Sequence, residues 1–270
     1  MNSKQGFKFE VNYCILLLEK IKSGVNTKEG LKDVTGAGEN RIVTFIQWLK
    51  YIGSIEVIGL NLKLTNLGEA YIRLKESDDY LEPLMLYHLL RDPYSSENDG
   101  HYYFSTLVNE LFYNTVFDYE NTISLEKIKS ELIKIGADPK YPKFISSAFK
   151  TLIDSQSGFG KMGILEKTNK NEKDEVVEVH SYWIEPLVGA YIIYDMWKDG
   201  QTAMEITNII NEKYNLGRMF LMNADAIEET LLEIQALNLI EIEKRAGLNQ
   251  IRIKKNITKE DILNRIIEEA

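Results

Sequence analysis

The sequence predicts a mainly helical α+β fold, with short β-hairpins, in which tandem winged helix-turn-helix modules are joined by a helical bundle. Three observations carry that expectation. Apolar residues recur at three and four spacing near the start of the chain, the turn Gly36-Ala37-Gly38 separates two short helical patterns, and paired β-type runs return near residues 54–64, 164–182 and 239–254. With 270 residues, 44% of them hydrophobic and 27% charged, the chain is an ordinary globular sequence rather than a disordered or fibrous one.

The first helix is read from Val11, Ile15, Leu18 and Ile21, with Cys14 and Leu17 beside them, and Gly24 ends it. Thr27 is placed to cap a short second helix through Leu31 and Val34. The third helix runs from about Glu39 to Tyr51. Its apolar face is Ile42, Phe45, Ile46, Leu49 and Ile52, and Asn40, Arg41, Thr44, Gln47 and Tyr51 fall on the other side. Ser54–Ile58 and Leu60–Leu64 alternate around Gly59 as a two-stranded wing, and a fourth helix starts at Thr65. Residues 1–76 therefore read as a winged-helix domain.

Residues 77–123 read as an acidic helical connector in which Leu81, Leu84, Met85, His88 and Leu89 share a face. Asp92-Pro93 breaks that helix and Tyr102 to Phe117 resumes it. Residues 124–184 form a second winged-helix-like module. Its helices carry Leu125, Ile128, Leu132 and Ile135, ended by Gly136, and then Phe144, Ala148, Phe149, Leu152 and Ile153, and its hairpin surrounds the charged tip Asn169–Glu175. Residues 185–270 form a third. Pro186 opens a helix with Leu187, Ala190, Ile193, Tyr194 and Trp197, stopped by Gly200, and a short helix holds Ala203, Ile206, Ile209 and Ile210. A longer helix spans Ala224–Leu237, Leu239–Glu243 pairs with Gln250–Lys254 across Ala246–Asn249, and a last helix turns Ile262, Ile266 and Ile267 inward.

Charge is unevenly distributed. The net charge is −9, which argues against coating nucleic acid by bulk attraction. Residues 1–75 nevertheless carry +4, residues 76–123 carry −9, residues 124–184 carry +1 and residues 185–270 carry −5. No apolar run approaches the roughly eighteen residues of a bilayer span, and the start MNSKQGFKFE lacks the order of a signal peptide. A cytoplasmic protein is expected. Cys14, alone in an apolar run, reads as a buried inert thiol.

The stretches LKDVTGAGENRIVTFIQWLKYIGSIE, LTNLGEAYI and DYLEPLMLYHLLRDP, followed by YPKFISSAFKTLI and NLGRMFLMNADAIEETLLEIQALNLIEIEKRAGLNQIRI, resemble a bacterial domain-of-unknown-function family. The resemblance covers most of residues 9 to 254. Members of that family lie beside genes for PAPS-reductase-like enzymes and cysteine desulfurases, in islands linked to DNA phosphorothioation and phage defence. The resemblance thus implies an accessory role in such a system. The family usually carries Gly-x-Gly-Lys-Asn at the turn. Here Gly36, Gly38 and Asn40 match, while Glu39 stands where the lysine would be and Arg41 is the nearby substitute cation.

Catalytic chemistry finds little support. A nucleotide-binding loop needs Gly-Lys-Ser/Thr after a strand, whereas Gly36–Asn40 follows a helix and Gly158-Phe159-Gly160-Lys161, read as a flexible loop, is followed by Met162. His88, His101 and His180 with one cysteine make no zinc set. His88 one turn before Asp92 reads as a structural histidine rather than a general base. Asp154 with Glu166 and Lys167 only imitates a nuclease centre, since adjacent strand residues point to opposite faces. No catalytic residue, metal or cofactor is expected.

Recognition remains. Asn40, Arg41, Thr44 and Gln47 are side chains that pair with base edges, and Lys50, Lys63 and Arg73 could reach phosphates. Lys244, Arg245, Asn249, Arg252, Lys254 and Lys255 are the densest basic group outside the first module and a candidate second phosphate contact. The leading expectation is a non-enzymatic accessory protein that binds duplex DNA. The alternative is an interaction scaffold whose acidic, aromatic centre, Tyr80 to Tyr119, docks a sulfur-transfer or restriction enzyme without touching DNA, with a nuclease subunit as a third reading.

Overall fold

A computed structural model describes residues 9–91, 105–117, 120–134, 153, 158–168, 176–245 and 247–270. Asp92-Pro93, His101 to Phe104, Ile135-Gly136, the helix expected around Phe144 to Leu152, Asp154 and the charged tip Asn169–Glu175 lie outside them.

Helix α1 (Val11–Lys22) buries Val11, Cys14, Ile15, Leu17, Leu18 and Ile21. Burial first, and the charge of Glu10 second, push the Cys14 thiol well above its ordinary value, so it is unreactive. The Thr27 hydroxyl accepts from the Gly30 amide at 3.1 Å and starts α2 (Lys28–Thr35), which ends at Gly36 in the left-handed region, φ 65°. Helix α3 (Glu39–Tyr51) follows. Strands β1 (Ile55–Ile58) and β2 (Asn61–Leu64) pair antiparallel from Ile55↔Leu64 to Ile58↔Asn61, so their turn is Gly59-Leu60, with Gly59 at φ 62°. Helix α4 (Asn66–Arg73) is capped by Thr65, and its Gly68 is required because a Cβ there would lie 2.2 Å from the Ser54 carbonyl.

Helix α5 (Asp78–Leu90) differs from its sequence reading. Every residue from Leu81 to Leu90 is buried, not one face. It packs both against α8 (Pro186–Met196) and against a short 3₁₀ turn at Gly158–Met162, so it is covered from more than one direction. That 3₁₀ turn, expected as a flexible loop, is a packed plug. Phe159 is fully buried and stacks on Phe9 at 4.8 Å, and Lys161 pairs with Asp78 at 2.9 Å. The chain resumes as a π-helical turn, Leu107–Phe112, and continues into α6 (Tyr113–Val116). Asn109 in that turn accepts from the Tyr214 amide at 2.8 Å, and its carbonyl accepts from Arg218 at 2.8 Å. The middle segment is thereby bolted to the C-terminal part of the chain.

Three times among the described residues a short pairing segment is followed by helix and then by a two-stranded hairpin. Strand β3 (Thr122–Ser124) runs directly into α7 (Leu125–Lys134) and pairs with β5 (Val176–Val179), which pairs with β4 (Leu165–Thr168), giving the sheet order β3-β5-β4. Strand β6 (Met204–Glu205) runs into α9 (Ile206–Asn211), α10 (Leu216–Met219) and α11 (Ala224–Ala236), then β7 (Ile240–Arg245) and β8 (Leu248–Ile253), with order β6-β8-β7. In the N-terminal module a single residue plays the first strand: Thr27, immediately before α2, makes an antiparallel bridge to Asn61 of β2. Each time, the segment before the first helix pairs with the last strand. Strands β3 and β6 and helix α10 were not anticipated by the sequence reading, and the β7–β8 connection is two residues because Arg245 and Leu248 pair.

Helix α12 (Lys259–Glu269) opens on a capping box of Thr258 and Asp261 and buries Ile262 and Ile266. Its Lys259 bonds Asp195 of α8 at 2.5 Å, and the same carboxylate accepts from Tyr87 at 2.6 Å and Arg91 at 3.1 Å. One apolar core runs continuously through all four sequence segments.

Candidate nucleic-acid interface

The polar side of α3 is narrower than its sequence pattern implies. Asn40 and Lys50 are exposed, and Val43 and Gln47 are half-buried between them, so the open stripe is Asn40–Val43–Gln47–Lys50. Thr44 is turned inward, 8% exposed, with its hydroxyl donating to the Asn40 carbonyl at 2.9 Å. The cause is Trp48, one turn after Thr44, which is buried and meets Phe9 edge-on at 5.5 Å. α3 is thus covered by α1 and by Phe9 ahead of it as well as by the core.

Arg41 also faces that seam. Its Nη2 donates to Glu10 Oε2 at 3.0 Å and its guanidinium lies 4.2 Å over the Tyr13 ring, while its Nε is buried without a hydrogen-bond partner. Glu39 is held by Lys28 of α2 at 3.0 Å, a bond and attraction that raise the lysine and lower the carboxyl from their ordinary values. A cation therefore stands at the turn after all, delivered from the preceding helix rather than from position 39.

The basic excess of this module is partly neutralised. Lys22 pairs with Glu69 at 2.5 Å, Lys75 with Glu19 at 2.9 Å, Lys28 with Glu39 and Arg41 with Glu10. Lys50, Lys63 and Arg73, the cations the sequence singles out here, take part in no ion pair among the described residues. Beyond the hairpin turn the surface is apolar, with Ile58 and Leu60 exposed, Leu60 to 88%.

The C-terminal basic group is largely engaged. Lys244 pairs with Glu228 at 2.6 Å, Arg252 bonds Glu243 at 2.9 Å and the Thr202 carbonyl at 2.9 Å, and Lys254 pairs with Glu241. Arg245, Asn249 and Lys255 are exposed, with Arg245 close enough to Glu243 to help lower its carboxyl. Helix α11, which occupies in this module the place of α3, carries Asp225, Glu228, Glu229 and Glu233 and no basic residue. Lying against a phosphate backbone would set four carboxylates against like charge.

Among the described residues, most aromatics of the acidic middle are turned inward. Tyr87 and Phe112 are buried and Tyr113 nearly so, its hydroxyl donating to the Ile210 carbonyl at 3.2 Å. Phe117 is the exposed exception among the described aromatics there. His88 is buried beside the Tyr191 hydroxyl at 3.1 Å, and burial first, then the charge of Arg91, drive its ring down to about 3, so it stays neutral. Glu166 opposes Glu178 in the β4–β5 ladder. Among the described residues no three His, Cys, Asp or Glu side chains are placed to hold a metal ion, and no helix is long and apolar enough to cross a membrane.

Residues 142–267 match the family described as "Protein of unknown function (DUF4007)". No curated protein matches the chain in sequence. Two crystal structures of SspB, one with a bound magnesium ion, share the fold: each aligns with a TM-score of 0.70 at 13% identity, over 97% of this chain and 86% of that one. The chain is therefore similar over its length to SspB in fold, and over its C-terminal half to a family of unknown function.

Proposed function

We propose that the protein is a non-enzymatic, cytoplasmic accessory factor that binds duplex DNA in a DNA-modification (phosphorothioation) or phage-defence system. Its three strand–helix–hairpin units are read as winged helices, because in each the leading segment pairs with the last strand of a hairpin and precedes the helices. The observation that carries the reading is the contrast between equivalent helices. α3 offers Asn40, Gln47 and Lys50 with the unpartnered Lys63 and Arg73 nearby in sequence, whereas every charged residue of α11 is acidic. Asn and Gln can pair bidentately with adenine, and the lysines supply charge to phosphates. DNA contact is thus assigned to the N-terminal module, and the later modules are left to hold it in place or to meet protein.

The test is a titration of labelled duplex, plain and phosphorothioate, across a salt series. Each phosphate contact contributes about 0.9 to the slope of log affinity against log salt. Lys50→Ala with Lys63→Ala should weaken binding on all sequences and flatten that slope. Absence of binding at low salt, with a neighbouring sulfur-transfer or restriction enzyme co-purifying, would instead favour a docking scaffold. That second reading draws on the acidic α11 with its exposed Leu232 and on the apolar turn at Ile58 and Leu60. Plasmid nicked in magnesium or manganese by the protein would replace both with a nuclease.

A further inference from the structure

We infer that Glu10 is an internal occupant of the Arg41 guanidinium, holding it stowed against α1 until a DNA phosphate displaces it. The inference rests on the duplex-binding reading and deepens it: the site would be regulated by its own carboxylate. Arg41 stands in the first turn of α3, where Gly38 brings no side-chain acceptor to the leading amides and the Glu39 carboxylate is already held by Lys28, so the cation an arriving phosphate meets there is Arg41. In the stowed position the guanidinium is incompletely served. Nη2 reaches Glu10 at 3.0 Å, but Nε is buried with no acceptor, and the Tyr13 hydroxyl and the Trp48 indole N–H in the same α1–α3 seam are also buried without partners. Unsatisfied buried donors disfavour the arrangement that contains them. The pair is also accessible, with Arg41 36% and Glu10 28% exposed in their side chains, so a phosphate can compete for it from solvent. A phosphate oxygen offers the same acceptor geometry as the carboxylate, which makes the exchange one anion for another. Glu10 and Arg41 come from different elements, so release needs only a side-chain swing at the seam.

The experiment measures affinity of the full chain for a labelled duplex by fluorescence anisotropy in four forms: wild type, Glu10→Gln, Arg41→Ala and the double variant, with thermal melts showing that each is folded. Glu10→Ser replaces the glutamine form if that one does not fold. Release of an accessible ion pair should tighten binding roughly two- to fivefold in Glu10→Gln. Arg41→Ala should weaken it, and removal of Glu10 on top of Arg41→Ala should change nothing. Equal gains from Glu10→Gln with and without Arg41 would overturn the latch, because the gain would then be loss of a negative charge alone. An unchanged or weaker Glu10→Gln, with Lys50→Ala and Lys63→Ala still reducing binding, would overturn the latch and leave the duplex-binding reading standing. No binding by any form at low salt would remove both.

Discussion

The Asp195 carboxylate accepts a 2.6 Å hydrogen bond from the Tyr87 hydroxyl, joining the C-terminal module to the middle helix at a point where the acid is only 7% exposed. Lys259 and Arg91 complete its shell, so α5, α8 and α12 meet on one side chain. Burial alone would raise this carboxyl. The bonds from Lys259 and Tyr87 outweigh it and hold the group below the usual carboxylate range.

Asp195→Ala should therefore lower stability by about 2–4 kcal/mol, less than a fully dry pair because Arg91 and Lys259 can rehydrate at their exposed ends. Because the folded carboxyl titrates below the unfolded one, its contribution is present above about pH 4 and is lost as acid carries the pH through the folded value. Urea unfolding at neutral pH reads the first effect. A variant as stable as wild type would show that the shell adds nothing net.

Two other buried groups titrate in opposite senses. Burial first, and Asp78 second, push Glu82 up to about 7, while His88 is driven down to about 3. Between about pH 4.5 and 7 the folded chain keeps a proton on Glu82 that the unfolded chain has shed, so stability falls as pH rises. Below about pH 6.5 the unfolded chain protonates His88 while the folded one does not, so stability falls as pH drops. The slopes oppose, each at most about 1.4 kcal/mol per pH unit. Glu82→Gln should leave the histidine slope uncompensated and make the protein distinctly acid-sensitive. Unfolding midpoints that run parallel for variant and wild type over that window would count against the assignment.

Gly68 in α4 lies against Ser54, the residue ahead of β1, and an added Cβ would meet the Ser54 carbonyl at 2.2 Å, a backbone atom that cannot step aside. Gly68→Ala should shift the N-terminal module enough to cost roughly 1–3 kcal/mol despite alanine's better helix propensity. Gly38→Ala, where nothing lies within 4 Å of the added carbon, is the control. Thermal melts of the two should separate clearly.

Local signals carried most of the element order. The Thr27 and Thr65 caps, the Gly36 helix end and the β1–β2 hairpin all depend on short-range chemistry that a sequence displays. The misses are long-range. Met204–Glu205 becomes a strand only because β8 lies beside it, and Thr27 becomes a bridge only through Asn61. α5 is buried from Leu81 to Leu90 because residues far along the chain pack on it, as the contacts of Lys161 to Asp78, 83 residues apart, and of Tyr87 to Asp195, 108 apart, illustrate. At the candidate interface, Asn40 and Lys50 were legible from helical period. The burial of Thr44 had one available signal, the indole of Trp48 a turn later, and the engagement of Arg41 by Glu10 had none, since ion pairs across thirty-one residues leave no spacing to read.

Thr44 and Lys50 now separate two versions of the interface. If the face of α3 seen in the structure meets DNA, Thr44→Val keeps the volume, loses only a bond to the Asn40 carbonyl, and should leave duplex affinity unchanged. Lys50→Ala should weaken binding on every sequence and reduce the salt slope by about one. Adding Lys63→Ala should reduce it by about one again, since Lys63 lies on β2, a separate element, and the two charges act independently. Anisotropy titrations at four salt concentrations give both slopes. Affinity lost in Thr44→Val but kept in Lys50→Ala would mean that α3 rotates on binding to expose a face the free protein keeps packed.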